Sequence, residues 1–543
     1  MPTTIAFVGA GPTTIYTLRA FLERVTTQTA ITIFEDQPRA GLGTPYRPGW
    51  NDPAMLSNIA SIEIPPIAET LLEWLRRQPR ARLVRLGVDP DGIDDHEFYP
   101  RLALGENFLD QFHMMIAGAR ERGIAIEIAT RSRVADIAAE QGRLALSIAP
   151  ANGATFEQSF DQVVLATGHQ WPEEPEVRPG YFLSPWPATA LQRIAPILVG
   201  IRGSSLTAID AAVALANVHG SFIETECATV EYRVSPGAEN FRMTMMSRKG
   251  LLPEADFFHP VPYEPLSICT PAAMERLIVD DCANLLERSY DLFRRELEAA
   301  DPAYAAHVGL SDVELDDFAD RYFADRSSAN PWEWAQSNLE EARANYDRSF
   351  TVPWRYAILR MHEVLALIVP KLDDDSLERF NQLFKPVFVD EYATVPHLSI
   401  ERLLALHRAG CLEITALGKD HRVDTRGPEI GATVTVEGKR IHYPAFIDAT
   451  GQRPLAIEDF PFPTLRKQGV VRDASDDAAG PKGVDVDDAF HPISDQPEAS
   501  RLFCLSIPFI LGRHPFVQGI TSSHEMGEIV GARLAIAAEE LTQ

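Results

Sequence analysis

Cysteine is scarce in this chain of 543 residues: Cys227, Cys269, Cys282, Cys411 and Cys504 stand far apart, and no C-x-x-C pair occurs. That scatter excludes dithiol chemistry of the disulfide-reductase kind and a thiolate zinc site, and it points to a reducing compartment. Cations are also few, with 50 Lys and Arg against 77 Asp and Glu and a formal net charge of −27. General nucleic-acid binding rests on clustered cations, so it is not expected here. No apolar run reaches the roughly eighteen residues of a membrane-spanning helix. The N-terminus has neither a basic stretch nor a cleavage site, so a cytoplasmic protein is expected. His362-Glu363 and His524-Glu525 are not H-E-x-x-H, and no metal site is expected. What remains is ordinary globular composition, 45% hydrophobic and 23% charged, in a chain long enough for two or three domains.

Residues 4–8 are a short apolar run of strand type, followed at once by Gly9-Ala10-Gly11-Pro12-Thr13-Thr14. Residues 15–25 then read as a helix with Ile15, Leu18, Leu22 and Val25 on one face. A second strand, 30–34, ends in Glu35, about the distance from Gly11 at which a dinucleotide fingerprint places its acid. Gly9 permits the tight turn, Gly11 lets the backbone approach a pyrophosphate, and the helix N-terminus supplies N–H donors and a positive dipole. Thr14 replaces the third glycine. Glu35 is expected to accept from a ribose hydroxyl, and the N-terminal position suggests FAD.

The chain also echoes itself. Strand 124–128, a hairpin turning at Gln141-Gly142-Arg143 and a strand running into Ala166-Thr167-Gly168 are matched further on. The counterparts are strand 412–417, a hairpin at Glu437-Gly438-Lys439 and a strand running into Ala449-Thr450-Gly451. Small residues at a strand's carboxyl end let a cofactor lie against the backbone. Between the copies, strand 197–201 leads into Gly203-Ser204-Ser205-Leu206-Thr207 and a helix through Ala216. Ser205 stands where a second glycine would. The next strand, 241–246, ends in Ser247-Arg248-Lys249-Gly250, and cations in place of an acid suit the 2′-phosphate of NADPH.

Residues 265–405 carry helical spacing, as in Met274, Leu277, Ile278, Cys282, Leu285 and Leu286, and again in Tyr356, Leu359, Met361, Leu365 and Ile368. These read as core of a helical insertion. Asp373-Asp374-Asp375 reads as a solvated face or a helix start, and 473–488 as an exposed loop.

Several segments together resemble the bacterial FAD/NAD(P)-binding flavoproteins related to class B flavin monooxygenases. They are 41–46 (GLGTPY), 55–61 (MLSNIAS), 99–106 (YPRLALGE), 247–253 (SRKGLLP) and the two Ala-Thr-Gly turns. Within that group, 55–66 (MLSNIASIEIPP), 354–359 (WRYAIL) and 507–527 (IPFILGRHPFVQGITSSHEMG) resemble the flavin-dependent L-aspartate N-monooxygenases that form nitrosuccinate. The imidazoleacetate monooxygenases are a sister group that spacing does not separate. The full Baeyer–Villiger fingerprint is missing, and His169 and Gln452 follow the turns where ornithine and lysine hydroxylases carry tyrosine.

The resemblance implies an α/β fold with two Rossmann-like dinucleotide-binding domains, for FAD and NADPH, and a mainly helical insertion. The expected boundaries are 1–190 with 440–543 for FAD, 191–265 with 406–439 for NADPH, and 266–405 for the insertion that shapes the substrate pocket. It implies that NADPH reduces FAD and that a flavin hydroperoxide N-hydroxylates a small carboxylate-bearing amine, with O2 as co-substrate. An imidazoleacetate-type monooxygenase and an NADPH oxidase or reductase are the alternatives. A homo-oligomer is compatible with the sequence; nucleic-acid and membrane partners are not expected.

For FAD the residues are Gly9, Gly11, Pro12, Thr13, Thr14 and Glu35, joined by Gly43, Asn58, Ile59, Ala60, Arg101, Thr167, Gly168, Gln518 and Gly519. Asn58 sits in an apolar run, where a buried amide must be hydrogen-bonded. For NADPH they are Gly203, Ser204, Ser205, Leu206, Thr207, Ser247, Arg248, Lys249, Thr450 and Gly451. A dicarboxylate needs cations in its pocket, for which Arg47, Arg513, His514 and His259 are candidates, and His169 is expected near the flavin. The amine must be neutral to attack, which calls for a base or a desolvated pocket.

Overall fold

The structure is a computed structural model that describes residues 2–172, 174–225, 229–280, 284–474 and 482–541. Cys227 and Cys282 lie outside the described residues, as does part of the loop expected at 473–488. Two compact units result. One comprises Met1–Pro48, Ile59–Gln170 and Gln452–Gln543, and the other Gly49–Asn58 and Trp171–Gly451.

In the first unit a five-stranded parallel sheet has the order Leu502–Cys504, Gln162–Leu165, Thr3–Val8, Thr29–Glu35, Ala125–Thr130. Thr3–Val8 is nearly all buried, as befits the central strand of a parallel sheet covered on both faces. The helix Pro12–Arg24 begins earlier than its apolar face suggests, because Pro12 occupies the first turn, where its missing N–H costs nothing. Ser132–Glu140, Arg143–Pro150 and Phe156–Phe160 form an antiparallel meander. Its tight turn puts Gln141 at φ 51° and Gly142 at φ 77°, the left-handed pair of a two-residue hairpin.

The C-terminal helix Ile520–Glu540 lies along Pro12–Arg24 and runs parallel to it. A β-carbon on Gly527 would fall 2.8 Å from the Thr17 nitrogen, and one on Gly531 would fall 2.5 Å from the Ala20 β-carbon. Thr13 Oγ1 meets Ser523 Oγ at 3.2 Å near the shared N-terminal end. Parallel alignment puts both positive helix ends at the carboxyl edge of the sheet.

The second unit repeats the plan. Its sheet runs Leu412–Ala416, Arg242–Ser247, Leu198–Arg202, Ala445–Asp448, Tyr181–Phe182, Glu176–Arg178, parallel except for the last pair. The helix Leu206–His219 follows Leu198–Arg202, and its residues from Ala208 to Ala216 are all buried. A meander of His421–Asp424, Ala432–Val436 and Lys439–Tyr443 separates Leu412–Ala416 from Ala445–Asp448. The echo in the sequence is therefore an echo in topology: strand, meander, strand into Ala-Thr-Gly.

The helical region of this unit includes Leu285–Ala300, Pro331–Asp347 and Pro353–Leu365. The spacing that joins Met274 to Leu286 is divided between two helices, Pro271–Val279 and Leu285–Ala300. Asp373 caps the helix Asp374–Arg379 by accepting from Ser376 N at 2.7 Å. The 473–488 segment is not simply exposed, since Val484 and Val486 are buried.

Candidate dinucleotide sites

The first turn is built by glycines that leave no room for a side chain. Gly9 has φ 100°, and a β-carbon on it would lie 2.2 Å from the Ala166 carbonyl oxygen. Gly43, at φ 73°, would place one 2.7 Å from Pro12 Cδ, and Gly11 would place one 3.3 Å from the Gly43 α-carbon. Gly9 N–H donates to Phe34 O at 2.8 Å, and Thr14 Oγ1 donates to Gly9 O at 2.7 Å.

Gly11 caps Pro12–Arg24 with no side-chain hydrogen bond and no acid in the first turn, and Gly519 caps Ile520–Glu540 in the same way. Two parallel helices thus begin with first-turn N–H groups that no cap side chain engages. FAD fits this cradle, because a pyrophosphate can approach glycine backbone and accept from those N–H groups.

Glu35 sits at the end of the second strand, where the fingerprint needs it, but its nearest duty is structural. Oε2 accepts from Ala10 N–H at 3.0 Å and Oε1 from Gln37 N–H at 3.0 Å. The carboxylate therefore fixes the middle of the Gly-Ala-Gly turn. Burial is the largest influence on it and pushes its pKa up to about 7.

At the end of the neighbouring strand, Thr167 Oγ1 and Ser506 Oγ are 2.8 Å apart. His169, half-buried, is pushed down to about 4 by burial and then by the Arg101 guanidinium, with the Gln452 side chain opposing. Arg101 opens the helix Arg101–Glu121 and also acts on buried Tyr46, whose hydroxyl burial pushes up to about 12. His169 and Tyr46 thus both feel the Arg101 charge. Arg47 follows the short turn Thr44–Tyr46 and is half-buried.

Other sequence candidates are placed differently. Arg513 donates to Ala474 O at 3.1 Å, and the His514 ring lies 5.5 Å from that of Phe490. His259 belongs to the second unit, buried in an aromatic cluster and stacked on Tyr356 at 6.0 Å. Asn58 is exposed, not the buried amide expected of its apolar run; the buried polar residue there is Ser57. Ile59 and Ala60 belong to the first unit, Asn58 to the second. Gln518 is exposed just before Gly519.

The second turn reproduces the first. Gly203 has φ 127°, a β-carbon on it would lie 2.5 Å from the Ala449 carbonyl oxygen, and its N–H donates to Met246 O at 2.8 Å. Ser205, exposed, caps Leu206–His219 without a side-chain hydrogen bond and with no acid in the first turn. Thr207 lies near Gly451, and Thr450 Oγ1 donates to Asp448 at 2.6 Å. Ser204 Oγ donates to Leu251 O at 2.6 Å. Arg248 is exposed, whereas Lys249 Nζ is 3.5 Å from the Asp320 carboxylate and 4.1 Å over the Phe323 ring.

The sequence reading missed two features. Gly527 and Gly531 are spaced so that small residues line one helix face, and that spacing is visible in the sequence. The second is a buried ionic cluster of Glu254, Arg326, Arg355, Asp390 and Glu391, for which no local signal exists.

A duplicated glycine turn, on two parallel sheets in one chain, defines a FAD/NAD(P)-binding flavoprotein with a helical region. Residues 6–170 match the family described as FAD-NAD(P)-binding, and residues 270–392 match the YdhS-like middle domain. The chain belongs to the YdhS-like family: it is 40% identical over 524 residues to YdhS of Escherichia coli (strain K12), covering 96% of each chain.

Solved structures similar to it include the Kutzneria sp. 744 ornithine N-hydroxylase KtzI, at 14% identity over all of both chains and a TM-score of 0.49. They also include the bacillithiol disulfide reductase of Bacillus cereus, at 12% identity over 99% of each and a TM-score of 0.43. Neither likeness is close enough to speak for a shared reaction. No helix among the described residues is long and apolar enough to cross a membrane.

Proposed function

We propose that the protein is an FAD- and NADPH-dependent monooxygenase that N-hydroxylates a small carboxylate-bearing amine, with L-aspartate as substrate and N-hydroxyaspartate or nitrosuccinate as product. The observation that carries the redox part of this reading is the repeated contact of Gly9 with Ala166 and of Gly203 with Ala449, which gives one chain two dinucleotide turns. The sequence has no C-x-x-C to take electrons from a flavin, which favours oxygen as the acceptor. The choice of aspartate is supported by segments 55–66, 354–359 and 507–527.

When bound, FAD supplies hydride acceptance and the oxygen chemistry. The residues of this chain bind and orient. The N-termini at Gly11 and Gly519 hold pyrophosphate charge, and Glu35 keeps the Ala10 N–H and the turn in place. His169 stays a neutral imidazole beside Arg101, able to accept a proton but not to act as a standing cation. Arg47 supplies positive charge for a substrate carboxylate.

The test is NADPH consumption in air by the FAD-loaded enzyme, with and without L-aspartate, alongside mass analysis of products. Stimulation with N-hydroxyaspartate or nitrosuccinate formed is the expected result. Stimulation by imidazoleacetate keeps the reaction class and moves the substrate. Oxidation that neither compound changes, yielding only hydrogen peroxide, overturns the monooxygenase reading in favour of an oxidase.

A further inference from the structure

The loop after Arg242–Ser247 is tied down at several points, most of them by the helical region. It passes beside the second turn, where Ser204 Oγ donates to Leu251 O at 2.6 Å. One residue on, Arg326 Nη2 donates to Leu252 O at 3.1 Å. Glu254 then enters a buried cluster, 2.9 Å from Arg355 Nη1 and 3.3 Å from Arg326 Nη1, while Trp334 Nε1 donates to it at 2.9 Å. Ala255 N–H donates to Asn338 Oδ1 at 2.7 Å. At the loop's start, Lys249 lies over Phe323 and pairs with Asp320.

Asp320, Arg326, Trp334, Asn338 and Arg355 all lie in the stretch matching the YdhS-like middle domain. Arg326 is itself locked by Asp390, whose two oxygens take its two terminal nitrogens at 2.7 and 3.0 Å. The contrast with the first turn explains the need. There the acid Glu35 ties the second strand's end to the turn at Ala10. Ser247 stands in that place in the second turn and has no carboxylate to do so.

We infer that the YdhS-like middle domain is a clamp that pre-shapes the nicotinamide-nucleotide loop, with Asp320, Arg326 and Glu254 as positioning residues, and that Lys249 serves this clamp while Arg248 alone reads the 2′-phosphate. This rests on the reading of the second turn as the NADPH site. A loop already in its bound shape loses less freedom on binding, so the clamp raises affinity for any nicotinamide nucleotide. A group that touches the 2′-phosphate instead changes the preference between NADPH and NADH.

The experiment measures KM and kcat for flavin reduction by NADPH and by NADH in the FAD-loaded full chain. The variants are Arg248→Ala, Lys249→Met and Asp320→Asn. Methionine keeps an apolar stem over Phe323, and Asp320 is an exposed partner whose loss leaves folding intact, checked by Tm. Arg248→Ala is expected to lower the NADPH-over-NADH preference about tenfold or more, the worth of a charged hydrogen bond. Lys249→Met and Asp320→Asn are expected to raise KM for both nucleotides by the same factor, about two- to fivefold, with the preference unchanged. A preference shift in Lys249→Met as large as that in Arg248→Ala overturns the inference, and so does an Asp320→Asn variant with wild-type KM for both. Failure of wild-type enzyme to be reduced by either nucleotide overturns the parent reading, and this one with it.

Discussion

Gly9 stands so close to Ala166 that a β-carbon on it would lie 2.2 Å from the Ala166 carbonyl oxygen, and the second turn repeats the pattern, with Gly203 in the same relation to Ala449 at 2.5 Å. Both glycines also have positive φ, 100° and 127°, so alanine brings backbone strain of about 1–3 kcal/mol in addition to the clash.

Gly9→Ala is therefore expected to purify with little or no FAD and a lowered Tm. Gly203→Ala is expected to keep its FAD and to lose reduction by NADPH. The flavin-to-protein absorbance ratio and anaerobic reduction check the pair. Full FAD content in Gly9→Ala would remove the first turn from the FAD site.

The parallel contact of Ile520–Glu540 with Pro12–Arg24 leaves no space at Gly527, where a β-carbon would press on Thr17 N and Tyr16 Cβ, both at 2.8 Å. Gly527→Ala should destabilise the protein by about 1–3 kcal/mol, the usual cost of overpacking. Ile529→Ala, on the exposed side of the same helix, should stay within about 0.5 kcal/mol. Chemical denaturation of the two variants checks this, and equal stabilities would refute the close helix contact.

The sequence revealed what geometry forces on residue identity. Gly9, Gly203 and the Ala-Thr-Gly turns are visible because positive φ and close approach admit few residues, and the hairpins at Gln141-Gly142 and Glu437-Gly438 are visible for the same reason. The helical spacing through Met274 and Leu286 was legible as helix but not as two helices, since apolar periodicity does not mark a break. Glu35 shows a subtler limit: its place was legible, but its hold on Ala10 N–H was not. Glu254, Arg326, Arg355 and Glu391 were unreadable, because charges far apart in the chain look like surface until the fold buries them together.

His169 gives a direct titration test. Its ring is pushed from the ordinary 6.5 to about 4, so it stays neutral at every pH above about 5. An unfolded chain takes up the proton near 6.5 while the folded one does not, so this residue's contribution to stability is full above that pH and falls away as pH drops toward 4. Nuclear magnetic resonance of ring-labelled histidine, with the resonance assigned by His169→Asn, should show that the His169 imidazole does not titrate between about pH 8 and 5. A His169 midpoint at or above 6 would contradict the neutral-imidazole role.

The buried cluster sets three carboxylates, Glu254, Asp390 and Glu391, against the two guanidiniums of Arg326 and Arg355. The surplus falls on Glu391, which is 1% exposed and whose pKa burial pushes up to about 7 despite the Arg355 guanidinium. For an acid the sign is unambiguous: below about 4.5 the carboxyl is neutral folded or unfolded, and as pH rises toward 7 only the unfolded chain ionises freely, so stability declines across that window. Glu391→Gln leaves two anions facing two cations and removes the decline. The variant should match wild type near pH 5 and exceed it near pH 8 by on the order of 2–3 kcal/mol. Denaturant melts at both pH values decide it: a variant less stable than wild type at the higher pH would mean that Glu391 is held there as a fully paired carboxylate, and that the cluster is balanced by some other proton.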